Sequence, residues 1–432
     1  MKPSRPRFTE PPLSLRISPI NAEPVHVDRR YVVYWMIAAR RPSFNFALDR
    51  SIAWARALGK PIVILEALRV DYPWASDRLH RFVIDGMRAN HAAFADASAL
   101  HHPYVERTRH AGRGLLERLA QDSAVIVTDD YPCFFLPQMV QAAGRRLDVR
   151  LESVDSNGLI PLAATYRAFR AAVHFRRHVQ KTLRAHLLDA PSPRPFQGIS
   201  LPTPARLPAD VTRRWPAATN RLLSGDDRAL RALPIDHEVP VCATRGGFEQ
   251  ARRALRTFVA KRLERYHVAH NHPDDRGTSR LSPYLHFGHL SAHEVFQTVM
   301  KHERWTPGRL PATASGAREG WWRVSPGAEA FLDQLIVWRE LAFNTCAKRP
   351  HDYDRFESLP PGRWKHWPII RTMNGSMCIR DRNSSKLPRT TRCGTRRSAR
   401  CGGTAGFTIT CACCGARKSS NGHARRKKHW TR

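Results

Sequence analysis

The sequence predicts an α/β plus all-α protein, with a doubly wound parallel α/β domain on the N-terminal side and a helical domain after it. Three observations carry this. Short apolar runs alternate with helix-period segments up to about residue 155, as parallel strands and crossover helices do. Beyond residue 248 only helical periodicity recurs. The 432 residues also suffice for two domains or more, each with a sizeable core.

Residues 1–27 are Pro-rich and are expected to be disordered. Tyr31-Val32-Val33-Tyr34-Trp35 reads as a buried strand, and 45–58 as an amphipathic helix stopped by Gly59. Pro61-Ile62-Val63-Ile64-Leu65 is the next strand. A helix over 79–94 places Phe82, Val83, Met87 and Phe94 on one face. A weaker strand at 103–106, a short helix at 115–120 and strands at 124–128 and 151–154 complete an α/β domain spanning 28–165. A basic helix from Tyr166 to about Leu188 opens the segment 166–247, in which 191–216 is a Pro-rich connector without period. Helices are expected at 248–266, 285–300 and 331–344, within a helical domain spanning 248–361. There is no internal repeat.

The formal net charge of +34 points to a polyanion, most often nucleic acid. It is unevenly placed: 362–432 holds 18 Lys and Arg against one acid, Asp381, and six of the nine cysteines. The other three, Cys133, Cys242 and Cys346, are widely spaced and read as reduced thiols. Apolar runs are far too short to cross a membrane, so no membrane partner is expected. Residues 1–21 lack an apolar h-region, which leads to the expectation of a cytoplasmic protein, here taken as a monomer.

The most specific stretch is Gly277-Thr278-Ser279-Arg280-Leu281-Ser282-Pro283-Tyr284-Leu285-His286-Phe287-Gly288. Short hydroxyl side chains, free backbone N–H groups and a guanidinium at a helix start are what a diphosphate needs. Downstream, helical spacing puts Gln334, Trp338 and Leu341 on one face, with Arg339 and Asn344 on others. Taken singly, Tyr266 and Trp338 read equally as core aromatics, and Arg339 with Glu340 as a solvated ion pair. No Ser-His-Asp constellation and no metal motif competes in this part of the chain.

Taken jointly, these stretches resemble the photolyase/cryptochrome superfamily, and most closely the class II cyclobutane pyrimidine dimer photolyases. The similarity covers about 29–361. It includes 29–36, Val127-Thr128-Asp129-Asp130, 154–161, Phe175-Arg176-Arg177 with Gln180-Lys181, 281–288 and 338–344. The resemblance implies an α/β antenna domain and a helical domain holding FAD, with a deazaflavin as the antenna chromophore the family would suggest. It implies UV-damaged double-stranded DNA as partner and light-driven repair of dimers as activity; a cryptochrome-like photoreceptor without repair is the alternative. Carried over by position, Tyr266, Thr278, Ser279, Arg280, Leu281, Ser282 and Arg339 would bind the cofactor. Gln334, Trp338, Glu340 and Asn344 would approach the lesion. No catalytic residue and no metal ligand is assigned.

The resemblance stops near Gly362. The family would supply a Leu-Trp-Asn-Ala-Ala-Gln segment and an Ile-His-Asn-Tyr-Leu-Arg-Met-Leu-Trp-Gly segment, and neither is present. GC-rich codons for 392–398, read one base earlier, allow Ala-Leu-Trp-Asn-Ala-Ala-Gln, and the same shift over 404–422 allows the second segment. The expectation is therefore a frameshifted translation of 362–432, disordered as a tail. Two rivals stay open. One is a zinc module around Cys411-Ala412-Cys413-Cys414 with His423 and His429; the other is a basic nucleic-acid-binding arm. Without the closing helices, the chain could also be an inactive fragment.

Overall fold

A computed structural model describes residues 9–203, 206–272, 274–355 and 358. It divides into two units, Met1–Lys348 and Arg349–Arg432. The three readings of the 362–432 tail lie outside the described residues. In the second unit, Arg349 pairs with Asp352 and donates to the Ser358 carbonyl at 2.8 Å.

The first unit opens on a six-stranded sheet of β1 (Ile17–Pro19), β2 (Tyr31–Met36), β3 (Ile62–Leu68), β4 (Ala99–Val105), β5 (Ser123–Asp130) and β6 (Leu151–Asp155). The strand order is β1-β6-β5-β2-β3-β4. Pairs among β2 to β6 are all parallel, as expected, and β1 joins β6 antiparallel. The β1 strand departs from the disorder expected of the Pro-rich N-terminal stretch at Ile17–Pro19; residues 1–8 lie outside the described residues. Two buried arginines, Arg16 and Arg50, hold this stretch through hydrogen bonds that a composition-based reading does not register.

Alternation along β2 explains the double winding. Tyr31, Val33 and Trp35 pack with α3 (Leu115–Ala120) and α4 (Leu136–Gly144) on one face. Val32, Tyr34 and Met36 pack with α1 (Phe46–Leu58) and Phe94 of α2 (Asp77–Ala95) on the other. Both faces are covered, so every residue of β2 is buried, as a parallel sheet requires. Asn45 caps α1 by accepting from the N–H groups of Ala47 and Leu48, and Gly59 ends it in the left-handed conformation.

After β6 come α5 (Ala172–His186), which is shorter than the helix expected from Tyr166, and α6 (Ala209–Arg214), which interrupts the expected connector. The short helices α7 (Asn220–Ser224) and α8 (Asp227–Arg231) follow. The helical half contains α9 (Phe248–Lys261), α10 (Tyr266–Ala269), α11 (Ser282–His286), α12 (Ala292–His302), α13 (Pro326–Leu332) and α14 (Arg339–Lys348). The expected helices break where local geometry intervenes. The run 285–300 is cut at Gly288, which has φ +74° and where a Cβ would stand 1.7 Å from the Ala38 carbonyl oxygen. Only glycine allows this approach of the helical half to the β2–α1 turn. The run 331–344 is not one α-helix, because Asp333–Trp338 is a π-helix between α13 and α14.

Candidate flavin and substrate site

The loop at 277–282 is built by one close approach and one strained residue. At Gly277 a Cβ would lie 2.3 Å from Ala269 Cβ, so the absence of a side chain lets the loop press on α10. Arg280 takes φ +60°, an uncommon conformation for a non-glycine residue that is enriched at ligand sites. Leu281 anchors the loop in the core, while Thr278, Arg280 and Ser282 are exposed. Ser279 Oγ accepts the Leu281 N–H at 3.3 Å, and Ser282 begins α11. The loop thus presents two hydroxyls and a cation to solvent.

Arg262, just after α9, is a neighbour that sequence reasoning missed. Its Nε is buried with no hydrogen-bond partner. Burial, and then the charge of Arg280, pull its guanidinium below the ordinary arginine range. Two cations that repel one another beside exposed hydroxyls suit a diphosphate, which would satisfy both. No spacing rule in the sequence brings 262 to 280; the break after α9 does.

Tyr266 is buried in an aromatic group. Its ring stacks on His270 at 4.6 Å and meets Phe258 and Phe331 edge-on at 5.6 and 5.4 Å. Phe331 leads into the π-helix, where the Arg339 N–H reaches back five residues to the Gln334 carbonyl. The wider turn leaves Gln334 and Trp338, four residues apart, near one face and takes Leu341 off the expected i, i+4, i+7 stripe. Gln334 is half-buried, and its Oε1 is buried without a partner. Trp338 is half-buried, and its Nε1 donates to Asp333 at 3.1 Å. Asp333 in turn takes a two-pronged bond from Arg176 of α5, at 2.8 and 3.2 Å.

Three expected site residues turn elsewhere, toward the 156–169 segment. Arg339 donates to the Asn157 carbonyl and lies 4.5 Å over the Phe343 ring; burial lowers its pKa. Glu340 accepts from the N–H groups of Leu159 (2.7 Å) and Ile160 (3.2 Å), and burial pushes its pKa up to about 7. Asn344 accepts from Phe169 N–H at 3.0 Å and donates to the Arg167 carbonyl at 2.9 Å. Glu340 and Asn344 therefore do not present free polar groups to a substrate. This corrects the lesion-facing expectation: both are buried, and their side-chain oxygens serve backbone amides that would otherwise be unpaired. Nor do Arg339 and Glu340 form a solvated pair.

A second crevice lies at the carboxyl ends of β2, β5 and β6, lined in part by Arg41, Asp130, Ser156, Asn157 and Arg339. Strand order reverses between β2 and β5, the position where open α/β sheets bind ligands. Buried Arg41 donates to the carbonyls of Phe44 and Gly288 at 3.1 and 3.0 Å, and burial lowers its pKa to about 10. Ser156 Oγ has no partner, and burial followed by the charge of Asp155 pushes Asp130 up to about 7.

Comparison with known proteins gives a consistent result. No family model matches. The chain is 27% identical over 347 residues to the deoxyribodipyrimidine photo-lyase of Methanothermobacter thermautotrophicus, covering 80% of this chain and 66% of that one. It is 29% identical over 353 residues to the protein of that name from Oryza sativa, covering 77% and 60%. The Arabidopsis thaliana counterpart is 25% identical over 345 residues, covering 77% and 61%. The chain thus spans about two thirds or less of the length of these relatives. Among solved structures, a class III photolyase from Agrobacterium tumefaciens matches with TM-score 0.52 at 18% identity, covering 79% of this chain and 65% of that one. A Synechocystis cryptochrome matches with TM-score 0.53 at 13% identity, covering 79% and 68%. Along four fifths of its length the chain is thus similar in sequence to deoxyribodipyrimidine photo-lyases, and its parallel sheet followed by helices has the fold of these solved photolyase and cryptochrome structures.

Proposed function

We propose that this chain is built as a deoxyribodipyrimidine photolyase, a carbon–carbon lyase that repairs cyclobutane pyrimidine dimers in UV-damaged double-stranded DNA with light and reduced FAD. The observation that carries the reading is the pair of buried, unpartnered polar atoms, Arg262 Nε beside the 277–282 loop and Gln334 Oε1 on the π-helix. Buried polar atoms are normally paired, so each calls for a ligand group.

Thr278, Ser279, Ser282, Arg280 and Arg262 would hold the diphosphate, with Leu281 fixing the loop and Tyr266 holding α10 through its packing on Phe258 and Phe331. Bound reduced FAD would supply the electron that opens the dimer and would take it back afterwards. Gln334 and Trp338 form the face assigned to the flipped lesion; Gln334 Oε1 can accept a base N–H, and the indole offers a stacking surface. Asp333 and Arg176 lock that face by fixing the indole nitrogen. Glu340 and Asn344 hold the same helix in place from its far side. For a deazaflavin antenna we assign the crevice at the strand ends, where Ser156 and Asp130 have hydrogen-bonding capacity to offer.

Blue-light repair of an oligonucleotide carrying one dimer, against a dark control, tests the activity. Light-dependent restoration of the pyrimidines is expected of the photolyase; light absorption without repair would replace it with the photoreceptor reading. A second reading concerns this chain alone. The sequence after Gly362 lacks both segments that the family resemblance places there, which favours weak flavin retention. A purified protein carrying stoichiometric flavin, seen by its visible absorbance, would overturn that second reading.

A further inference from the structure

Arg16 lies in the stretch where sequence composition suggests disorder, yet it is 2% exposed. Its Nη1 donates to the carbonyls of Asp155 (3.3 Å) and Gly158 (3.1 Å), its Nη2 to that of Leu159 (2.7 Å), and its Nε to the Asp189 carboxylate (3.0 Å). The guanidinium stacks 4.3 Å from the Phe46 ring, and the Arg16 carbonyl accepts the Asp155 N–H at 2.8 Å. Only the planar five-donor fork of arginine can serve three carbonyls and a carboxylate together.

The same 155–160 loop meets α14 on its other side. Its Leu159 and Ile160 amides donate to Glu340, and its Asn157 carbonyl takes Arg339. There is no slack between them: a Cβ on Gly158 would stand 2.5 Å from the Glu340 carboxyl carbon. Displacement of the loop must therefore displace the start of α14, which continues directly from the π-helix.

We propose that Arg16 is a positioning residue: by fixing the carbonyls of the 155–160 loop, it sets where Arg339 and Glu340 stand, and with them the π-helix face of Gln334 and Trp338. The assignment of that face to substrate rests on the proposed function; the positioning itself does not. The N-terminal strap is thus part of the frame of the site.

The test uses the full chain with Arg16→Met, Arg16→Lys and the gentler Asp189→Asn, which removes only the outer partner of Arg16. Amide hydrogen exchange at Leu159 and Ile160 is expected to quicken about tenfold in Arg16→Lys, the effect of about one lost hydrogen bond, and less in Asp189→Asn. Trp338 emission, isolated by subtracting a Trp338→Phe variant, is expected to shift in the same order. Glu340 faces Arg339 on its own helix and Arg16 across the loop. Its titration midpoint, read from a carboxyl infrared band assigned with Glu340→Gln, should rise in Arg16→Met and stay in place in Arg16→Lys. Should Arg16→Met fail to fold, the other two variants carry the test. Unchanged Leu159 and Ile160 exchange and unchanged Trp338 emission, with faster exchange only at Ile17 and Ser18, would reduce Arg16 to a fastener of the N-terminal segment and overturn the proposal. Loss of lesion binding in the wild type would overturn the functional reading and leave these readouts intact.

Discussion

The two halves of the first unit are ordered by different means. In the sheet, β2, β3 and β5 carry apolar runs buried on both faces, and a carboxylate among them can be held by several hydrogen bonds. Asp129 shows this at the end of β5: its carboxylate accepts from the N–H groups of Ile37, Ala38 and Ala39 at 2.8, 2.7 and 2.9 Å and from the Tyr34 hydroxyl at 2.7 Å. In the helical half the informative places are interruptions: a glycine with positive φ, an arginine in the left-handed region and a π-helix. The sheet is stabilised by burial, whereas the candidate site is shaped by departures from regular helix that leave polar atoms unpartnered. The lesson is that order and availability for a ligand are separated along this chain.

The largest effect is expected from Gly288→Ala, which adds a methyl group against the Ala38 carbonyl at a positive φ; we expect a loss of about 4 kcal/mol or more, measured by urea unfolding. Asp129→Ala leaves three buried N–H groups without an acceptor and should cost about 3–4 kcal/mol in the same assay. If Asp129→Ala cost less than a single surface substitution, the account of the sheet end would be wrong.

The pH dependence comes next. Glu340 has a folded pKa raised from 4.5 to about 7 by burial. Its stabilising contribution is therefore complete below the unfolded pKa and is lost as pH rises through about 7, by up to about 3 kcal/mol. Asp49 and Asp130, also raised to about 7 by burial, act in the same direction. Stability should fall between about pH 5 and 8, and Glu340→Gln should remove only its own part of that fall.

Asp333→Asn should cost about 2–3 kcal/mol by leaving Arg176 without its partner, and should alter Trp338 emission. The smallest change in stability is expected from Gln334→Leu, within about 1 kcal/mol, because it removes an atom that has no partner in the fold. Its effect should appear instead in binding of dimer-containing DNA, followed by gel shift. A large stability loss there would show that Gln334 belongs to the core and not to a binding face.

Much of the first half was legible in the sequence, because two-sided burial turns β2, β3 and β5 into apolar runs that few other structures explain. The 277–282 loop was legible too, since hydroxyls flanking an arginine before a Pro-led helix start form a local pattern. What stayed hidden was non-local or irregular. Arg16 is a charged residue in a Pro-rich stretch, and nothing near it in sequence announces carbonyls more than a hundred residues away; Arg50 sits on α1 and reaches back to the carbonyls of Pro11 and Pro12. The π-helix was read as ordinary helix, because Phe331 to Asn344 has the apolar spacing of one. The assignment of Glu340 and Asn344 to a lesion was carried over by position, and nothing local in the sequence announces the backbone amides of Leu159, Ile160 and Phe169 that occupy their side chains. Arg262 was missed because its meaning depends on Arg280, which only the fold brings near.

The π-helix also has a consequence for sequence change. A turn closed over five residues holds one residue more than an α-helical turn, so among the described residues Asp333–Trp338 is the helical stretch where a single deletion could be absorbed as regular helix. Everything downstream would then rotate by about 100° relative to α13, the angle of one α-helical residue. Arg339 and Glu340 would leave the 155–160 loop, while the helix itself survived. The segment therefore acts as a phase marker: it records, in one surplus residue, which side of the helix that follows is turned to the 155–160 loop.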